Sequence, residues 1–304
     1  SNGDIKLMTD YKAIKGKTIQ SIAADLDSSA GEGQIWFNTA SGDYKTIIAS
    51  GSWSSGGNMN SARLGLSGAG TTTAAVAAGG FDPPATIVES EEYDGSSWTE
   101  GNNINTSRMS LARGVLGTQT AALINGGRIL PTTFSANSEE YDGTNWAEGD
   151  DVGTARYKHA GCGTQTATII FGGYKSGANA DETETYDGSS YTEVADLNTA
   201  REEGAGFGTQ TAALDAGGNN TLNVSEEWNG TSWTEGNNLQ AARYGGRGIG
   251  ITTAALFTGG EANAANETYN GTSWTETNDL NTARRSGGGA GLQSAALYAG
   301  GNLP

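Results

Sequence analysis

The chain has 304 residues, with 17 Lys and Arg against 34 Asp and Glu, and a formal net charge of −17. This acidic balance disfavours nucleic acid as a partner, because phosphate contacts come mostly from Lys and Arg. One cysteine and one histidine exclude a disulfide framework and most metal or catalytic sites built on those residues. No apolar run approaches the roughly 20 residues of a membrane-spanning helix.

The first 34 residues are predicted to form an N-terminal arm or attachment segment. Five of the seven lysines lie within the first 45 residues, so this stretch is much less acidic than the rest. It has no apolar core of the kind found in a secretory signal, and no signal peptide is expected. Residues 35–38 and 44–47 then form a predicted β-hairpin.

A repeating unit follows from about residue 50 to residue 301. Glycine pairs recur at residues 79 and 300 and four times between, which gives a period of about 44. After the first five pairs come a Tyr or Trp, an Asp-Gly or Asn-Gly turn and, five residues after the first aromatic, a second one. The second aromatics are Trp98, Trp146, Tyr191, Trp233 and Trp274, and Trp53 resembles a sixth copy. Disordered glycine-rich sequence has no reason to keep bulky aromatics in register, so we reject a flexible chain.

Each unit indicates four short strands. A Gly- and Ala-rich strand is joined by a Gly-Thr-Gln-Thr turn to a second strand that ends at the glycine pair. A third strand ends at the Tyr or Trp, and Asp-Gly or Asn-Gly supplies the positive-φ positions of a tight hairpin into the fourth. Four-stranded units at this period are typical of a β-propeller.

These features predict an all-β chain with a six-bladed propeller spanning residues 35–304. The repeat begins with a fourth strand at Trp53 and ends with a second strand at Gly301, so the last blade lacks two strands. Residues 35–53 are expected to complete it and close the ring, which removes an exposed edge. Glycine in the first strands is expected because six sheets converge at a crowded centre.

The repeat resembles the kelch repeat. The apolar run into Gly-Gly, the following Tyr and Trp, and an Arg before the next first strand carry the resemblance over residues 50–301. It implies a propeller fold and not a function, since one fold supports many activities.

One face of the propeller is the predicted binding face. It carries the loops after the glycine pairs and the loops that hold the repeated arginines, and the first of these vary most along the chain. The alternative is that these loops merely tolerate drift. The candidate binding residues are Phe81, Pro84, Ile129, Phe134, Tyr174 and Lys175.

Six arginines recur about ten residues after the second aromatic. They could form an anion-binding ring for acidic sugars, but recurrence in every repeat favours a structural contact with a carboxylate or an aromatic. They are Arg63, Arg108, Arg156, Arg201, Arg243 and Arg284.

The other polar candidates are assigned no chemistry. Paired glutamates before the Tyr or Trp are expected on a solvated face rather than in a calcium site. His159 is interpreted as incidental and Cys162 as a small buried residue. The glutamates are Glu91, Glu92, Glu139, Glu140, Glu226 and Glu227. No metal, cofactor or enzymatic activity is expected.

A second resemblance concerns the biological setting. Residues 33–39, Gly-Gln-Ile-Trp-Phe-Asn-Thr, followed by Tyr44 and Lys45, are similar to a motif of tail-fibre and other virion proteins of tailed bacteriophages. The repeats also look like those of kelch-like virion proteins of marine phages. The resemblance implies a tail-fibre, appendage or capsid-decorating protein, assembled in the host cytoplasm into the virion.

A virion protein of this kind is expected to have several partners. The arm would contact other virion proteins, the propeller would contact host surface glycan or protein, and a homo-oligomer is compatible with both. A cellular kelch scaffold and a glycan-active enzyme remain as alternatives.

Overall fold

The computed structural model describes residues 20–22, 35–39, 43–46, 52–219, 222–261 and 264–303. The chain divides into two compact units, Ser1–Gly51 and Ser52–Pro304. Within the described part of the first unit, β1 (Gln20–Ile22), β2 (Ile35–Asn38) and β3 (Asp43–Thr46) form one sheet. β1 runs parallel to β2, and β2 and β3 form the predicted hairpin, antiparallel, with Phe37 opposite Tyr44. The remainder of the predicted arm lies outside the described residues.

The second unit is a β-propeller made of antiparallel sheets whose strands follow one another in chain order. The first blade has β4 (Ser67–Gly70), β5 (Ala75–Ala78), the small hairpin β6 (Phe81–Asp82) and β7 (Ala85–Thr86), then β8 (Ser90–Tyr93) and β9 (Trp98–Glu100). The second has β10 (Gly117–Thr118), β11 (Ala121–Asn125), the small hairpin β12 (Arg128–Ile129) and β13 (Thr133–Phe134), then β14 (Ser138–Tyr141) and β15 (Trp146–Glu148). The third has β16 (Ala160–Thr164), β17 (Ala167–Phe171), the small hairpin β18 (Tyr174–Lys175) and β19 (Ala178–Asn179), then β20 (Thr183–Tyr186) and β21 (Tyr191–Glu193).

The remaining blades are plainer. The fourth has β22 (Ala205–Thr209), β23 (Ala212–Ala216), β24 (Ser225–Trp228) and β25 (Trp233–Glu235). The fifth has β26 (Arg247–Ile251), β27 (Ala254–Thr258), β28 (Asn266–Tyr269) and β29 (Trp274–Thr277). The chain then forms a two-stranded sheet of β30 (Gly288–Leu292) and β31 (Ala295–Ala299). No helix of the described residues is long and apolar enough to span a membrane.

The described residues therefore contain five complete four-stranded blades, where the sequence predicted six. The sheet of β30 and β31 has two strands, and the described pairings of β2 and β3 are with each other and with β1. The difference arises because the repeat count was taken from glycine pairs and aromatics, which mark single strands rather than whole sheets.

Six backbone segments meet at the centre of the propeller. Just before each first strand, one residue with φ between +56° and +75° donates its N–H to the carbonyl of its counterpart in the adjacent sheet. The N···O distances lie between 2.7 and 3.0 Å, and the bond from Gly65 to Ser286 closes the circle. We call this set the inner ring: Gly65, Ser110, Lys158, Glu203, Gly245 and Ser286.

Glycine allows the first strands to approach backbone to backbone. A Cβ on Gly248 would lie 2.2 Å from the carbonyl oxygen of Gly206, and one on Gly206 would lie 2.6 Å from that of Gly161. Real side chains cannot come so close, so these three strands need glycine where they converge. The predicted cause of the glycine content at the centre is confirmed.

Four turn glutamines each join their own sheet to the preceding blade. Gln119 Nε2 donates to the carbonyls of Tyr93, at 2.9 Å, and Ala75, at 3.2 Å, in the preceding blade. Gln165 and Gln210 make the matching two bonds to the second and third blades, and Gln293 makes them to the fifth. The Gly-Thr-Gln-Thr turn is therefore a blade-to-blade connection as well as a hairpin.

The paired aromatics pack together in each complete blade. Tyr141 and Trp146 have ring centroids 4.8 Å apart, and both are buried beside Ile124 and Leu111. The same contact recurs between Tyr93 and Trp98, Tyr186 and Tyr191, Trp228 and Trp233, and Tyr269 and Trp274. These rings account for the fixed aromatic spacing, because pairs of this kind bury large apolar area.

Candidate ligand-binding face

The two kinds of predicted face loop do lie together. Isolated β-bridges join Leu64 to Phe81, Met109 to Arg128 and Tyr157 to Tyr174, and each links an arginine-bearing loop to the segment after a glycine pair. The residue after the repeated arginine is thus placed on this face, which we call the loop face. In the first three blades the loop face also carries a small hairpin, formed by β6–β7, β12–β13 and β18–β19.

Three aromatic rings form a cluster where the second and third blades meet on the loop face. Phe134 stacks on Tyr157 with centroids 5.0 Å apart, and Tyr174 meets both edge-on, at 6.1 and 5.6 Å. Each ring is half-buried, so part of its surface faces solvent. We call Phe134, Tyr157 and Tyr174 the aromatic trio.

Cations border the aromatic trio. The Arg128 guanidinium lies 5.8 Å and the Lys158 ammonium 5.4 Å from the centre of the Tyr157 ring. Lys158 Nζ also lies 2.8 Å from Glu203 Oε1 and 3.3 Å from Glu202 Oε2. Burial lowers the pKa of Lys158, but the neighbouring Glu203 and Glu202 outweigh burial and raise it above its usual value. The ammonium therefore stays charged beside the rings.

The other predicted loop residues are distributed along the same face. Phe81 and Ile129 are half-buried in β6 and β12, and Pro84 is exposed between β6 and β7. Lys175 forms an ion pair with Glu182. Of the six candidates, the described ring contacts bring together Phe134 and Tyr174.

Tyr157 is the member of the aromatic trio that the sequence reasoning missed. It follows Arg156 directly, and the residues in the same place elsewhere are Leu64, Met109, Glu202, Tyr244 and Arg285. This variation next to a repeated residue was an available signal, since a position that changes on a constant scaffold is free to serve recognition.

Five of the six repeated arginines are buried inside the protein, and Arg284 is half-buried. Arg108 is fully buried and pairs with Glu139 at 3.0 Å, in the third strand of its own blade. Arg63, Arg156, Arg201 and Arg243 pair in the same way with Glu91, Glu184, Glu226 and Glu267. Arg284, which precedes the two-stranded sheet, donates to the carbonyl of Gly300 at 3.2 Å. Five buried ion pairs occupy these sites, so the arrangement presents no open ring of guanidinium groups to a ligand.

The glutamates that precede the Tyr or Trp were predicted on a solvated face, and for the first of each pair this is wrong. Glu139 is fully buried, and besides Arg108 it accepts hydrogen bonds from the backbone N–H groups of Asn105, at 2.6 Å, and Thr106. Glu91 and Glu226 are buried in the same way. One face of the third strand was expected to be exposed to solvent, whereas the loop that holds Asn105, Thr106 and Arg108 covers this glutamate.

The second glutamate of each pair is half-buried and joins two blades. Tyr186 Oη donates to Glu140 at 2.6 Å, and Tyr269 Oη donates to Glu227 at 2.5 Å. Tyr141 donates to Glu92 in the same arrangement. Burial and the nearby carboxylates raise the pKa of these phenols, so the hydroxyls remain donors at any ordinary pH.

His159 and Cys162 are both buried in the third blade. His159 Nε2 lies 2.7 Å from Asn125 Oδ1 of the second blade, so the ring is a structural link and not incidental. Burial, with Arg156, Arg113 and Arg247 nearby, lowers the pKa of His159 well below its usual value. Within the described ranges no group of three His, Cys, Asp or Glu side chains is arranged to hold a metal ion.

Comparison with known proteins supports the fold. No family model matches the chain, and no curated protein matches it. Among solved structures, that of YjhT is similar with a TM-score of 0.67 and 11% sequence identity, covering 81% of this chain and 92% of that one. At this identity the likeness shows the propeller fold and carries no activity across.

Proposed function

We propose that this chain is a recognition protein whose loop face binds carbohydrate through the aromatic trio. The observation that carries the proposal is the half-buried cluster of Phe134, Tyr157 and Tyr174, drawn from three separate segments of two blades. Sugar rings offer apolar C–H faces edged by hydroxyls, and tyrosine offers a matching apolar ring with a polar tip.

The charges around the aromatic trio favour an acidic sugar. Arg128 and Lys158 border Tyr157, in a chain whose formal net charge is −17. A local pair of cations on an acidic protein attracts negative ligands to one place and repels them elsewhere. Arginine and lysine both donate charge-assisted hydrogen bonds to carboxylate or sulfate groups.

The proposed biological setting is a phage virion. Its support is the resemblance of residues 33–39 and of the kelch-like repeats to virion proteins, together with an all-β scaffold whose variable loops lie on one face. In this setting the chain is non-enzymatic, its N-terminal arm contacts other virion proteins, and the loop face contacts host surface glycan.

The proposal includes a six-bladed ring. Six inner-ring residues bond in a closed circle, and the two-stranded sheet of β30 and β31 occupies the sixth place in that circle. Residues 35–53 would then supply the two outer strands of the sixth blade.

A glycan-array screen with the full chain tests the binding proposal. We expect selective binding to acidic glycans, lost in Tyr174→Ala. Binding to no glycan, or release of sugar from the bound polysaccharide, would contradict the proposed function and favour a protein scaffold or an enzyme respectively. Labelling intact particles with antibody in electron micrographs tests the virion setting separately.

A further inference from the structure

Two buried arginines lie at the centre of the propeller and depart from the repeat. Arg247 begins β26, where the corresponding positions of other first strands hold the small residues Ser67, Ala160 and Ala205. Arg113 lies in the segment that leads to β10, and its backbone N–H donates to His159 of the third blade while its carbonyl accepts from Gly206 of the fourth. A residue of the second blade that reaches the fourth must cross the middle of the ring.

Arg247 is satisfied by neutral groups alone. Its Nη1 donates to the carbonyl of Ala112 at 2.9 Å, and its other nitrogens donate to the carbonyls of Leu66 and Gly287. These acceptors come from three different sheets, so the side chain ties the centre together. Among the described residues it forms no ion pair, in contrast to the repeated arginines with their glutamates.

Arg113 is buried and incompletely paired. The residue is 2% exposed, and its Nε and Nη1 have no hydrogen-bond partner among the described residues. Nη2 lies 3.5 Å from Ser286 Oγ and 3.7 Å from Glu203 Oε1, two members of the inner ring. Glu203 is shared with Lys158, which holds it more closely at 2.8 Å.

The charges at this centre do not balance. Arg113, Arg247 and Lys158 supply three positive charges, and Glu202 and Glu203 supply two negative ones. Arg285 also acts on Glu203, since with Arg113 and Lys158 it lowers the pKa of that carboxyl against the effect of burial. A buried charge without a counter-charge is strongly destabilising, so the excess of cations at this centre calls for an anion.

The geometry points to an oxyanion site at the inner ring, in which a sulfate, phosphate or carboxylate group binds Arg113 beside Lys158 and Ser286. Arg113 supplies two unused donors, Ser286 supplies a hydroxyl and Lys158 supplies a second positive charge. Lys158 is 26% exposed, which places the entrance on the loop face. Charge-assisted hydrogen bonds of this kind are among the strongest in proteins.

The oxyanion site shares Lys158 with the proposed sugar site but requires neither Phe134 nor Tyr174, so a loss of sugar binding in Tyr174→Ala would leave the oxyanion site intact. Two sources offer the same chemistry, a free inorganic anion and an acidic group carried by a larger ligand. Inorganic sulfate and glucuronate, used as separate probes, distinguish these sources. Binding of sulfate but not glucuronate indicates a closed site for a free ion. Binding of both indicates a site that is open to an acidic group on a larger ligand. Either response supports the inference, and the absence of both overturns it.

Thermal unfolding of the full chain tests the site. At constant ionic strength, replacing chloride with sulfate should raise the Tm saturably, and Arg113→Gln should weaken the apparent affinity at least tenfold. Arg284→Gln, a repeated arginine outside both proposed sites that donates to the carbonyl of Gly300, should keep the wild-type affinity. A linear, unsaturable response, or an equal response in Arg113→Gln, would overturn the inference.

A second measurement uses the wild-type protein alone, so it does not require that any variant folds. Wild-type crystals soaked in selenate should show an anomalous peak within hydrogen-bonding distance of Arg113. An empty inner ring in crystals that bind selenate elsewhere would overturn the site whether or not Arg113→Gln folds.

Discussion

The side-chain amide of Asn281 donates a hydrogen bond to the carbonyl oxygen of Trp53, 3.1 Å away and 228 positions earlier in the chain. The same bond joins Asn105 to Trp146 and Asn198 to Trp233, each time within one blade, from the loop before its first strand to its fourth strand. Trp53 therefore holds the place of a fourth-strand aromatic beside β30 and β31, and the start of the second unit meets its end.

Removing this contact should loosen the whole propeller. We expect deletion of residues 1–55 to lower the Tm by several degrees, because the sheet of β30 and β31 then loses its partner at Trp53 and exposes an edge. Deletion of residues 1–34 is the control and should leave the Tm near that of the full chain. If the chain lacking residues 1–55 has the same Tm as the full chain, the contact at Trp53 does not close the propeller.

The contribution of each repeated arginine to the free energy of unfolding should depend on whether its partner is a buried carboxylate. Arg108→Met strands the fully buried Glu139, and we expect a loss of about 3–5 kcal/mol in the free energy of unfolding. Arg284→Met, at the matched repeat position, removes a guanidinium that donates to the carbonyl of Gly300 and should cost less. Denaturant unfolding of both variants measures the difference, and equal losses would contradict the role given to the carboxylate.

Asp215 should give the protein an unusual pH response. Burial raises its pKa from 3.8 to about 7, although Arg201 opposes the shift. The folded state then holds a proton that the unfolded state releases, so this contribution to stability is complete below pH 3.8 and is lost as the pH rises to about 7.

The substitution Asp215→Asn removes that titration. Relative to the wild type, the variant should become steadily more stable between pH 4 and 7, as read from urea midpoints across that range. Asp187→Asn is the control, because hydrogen bonds from Ser190 and Ser189 lower the pKa of this exposed carboxyl and its effect falls below this window. A wild type and Asp215→Asn with parallel pH profiles would refute the raised pKa.

The central glycines should tolerate no side chain. Gly248→Ala places a methyl group 2.2 Å from the carbonyl of Gly206, and we expect a loss of at least about 1–3 kcal/mol from overpacking. At Gly149 a Cβ would first meet Tyr186 Oη at 3.5 Å, an ordinary contact, so Gly149→Ala should be nearly neutral. Similar melting temperatures for the two variants would contradict the convergence of the first strands.

The sequence predicted those features of the fold that recur in each repeat. The strand order, the hairpin turns, the aromatic pairs and the central glycines recur in unit after unit, so spacing alone reveals them. The solvated position predicted for the first glutamates was wrong because strand alternation distinguishes two faces of a strand but does not show which loop covers each face. Glu139 looks solvated for that reason, yet it is buried against Arg108.

What the sequence could not predict lies in single departures from the repeat. Tyr157, Arg113, Arg247 and Asp215 each stand where other units hold something else, and a template built from the common pattern discards them. Their importance comes from contacts across blades, such as Arg247 with Ala112, that no sequence spacing encodes. The sequence therefore predicted Phe134 and Tyr174 of the aromatic trio but not Tyr157.

Titration of an acidic glycan selected by the array against wild type, Tyr157→Ala and Tyr244→Ala tests the central claim most directly. Tyr244 follows Arg243 as Tyr157 follows Arg156, but its hydroxyl bonds Glu261 at 3.1 Å, outside the aromatic trio. The account predicts at least a tenfold loss of affinity in Tyr157→Ala, and wild-type affinity in Tyr244→Ala. Equal affinity in all three proteins would show that the aromatic trio is not the binding site.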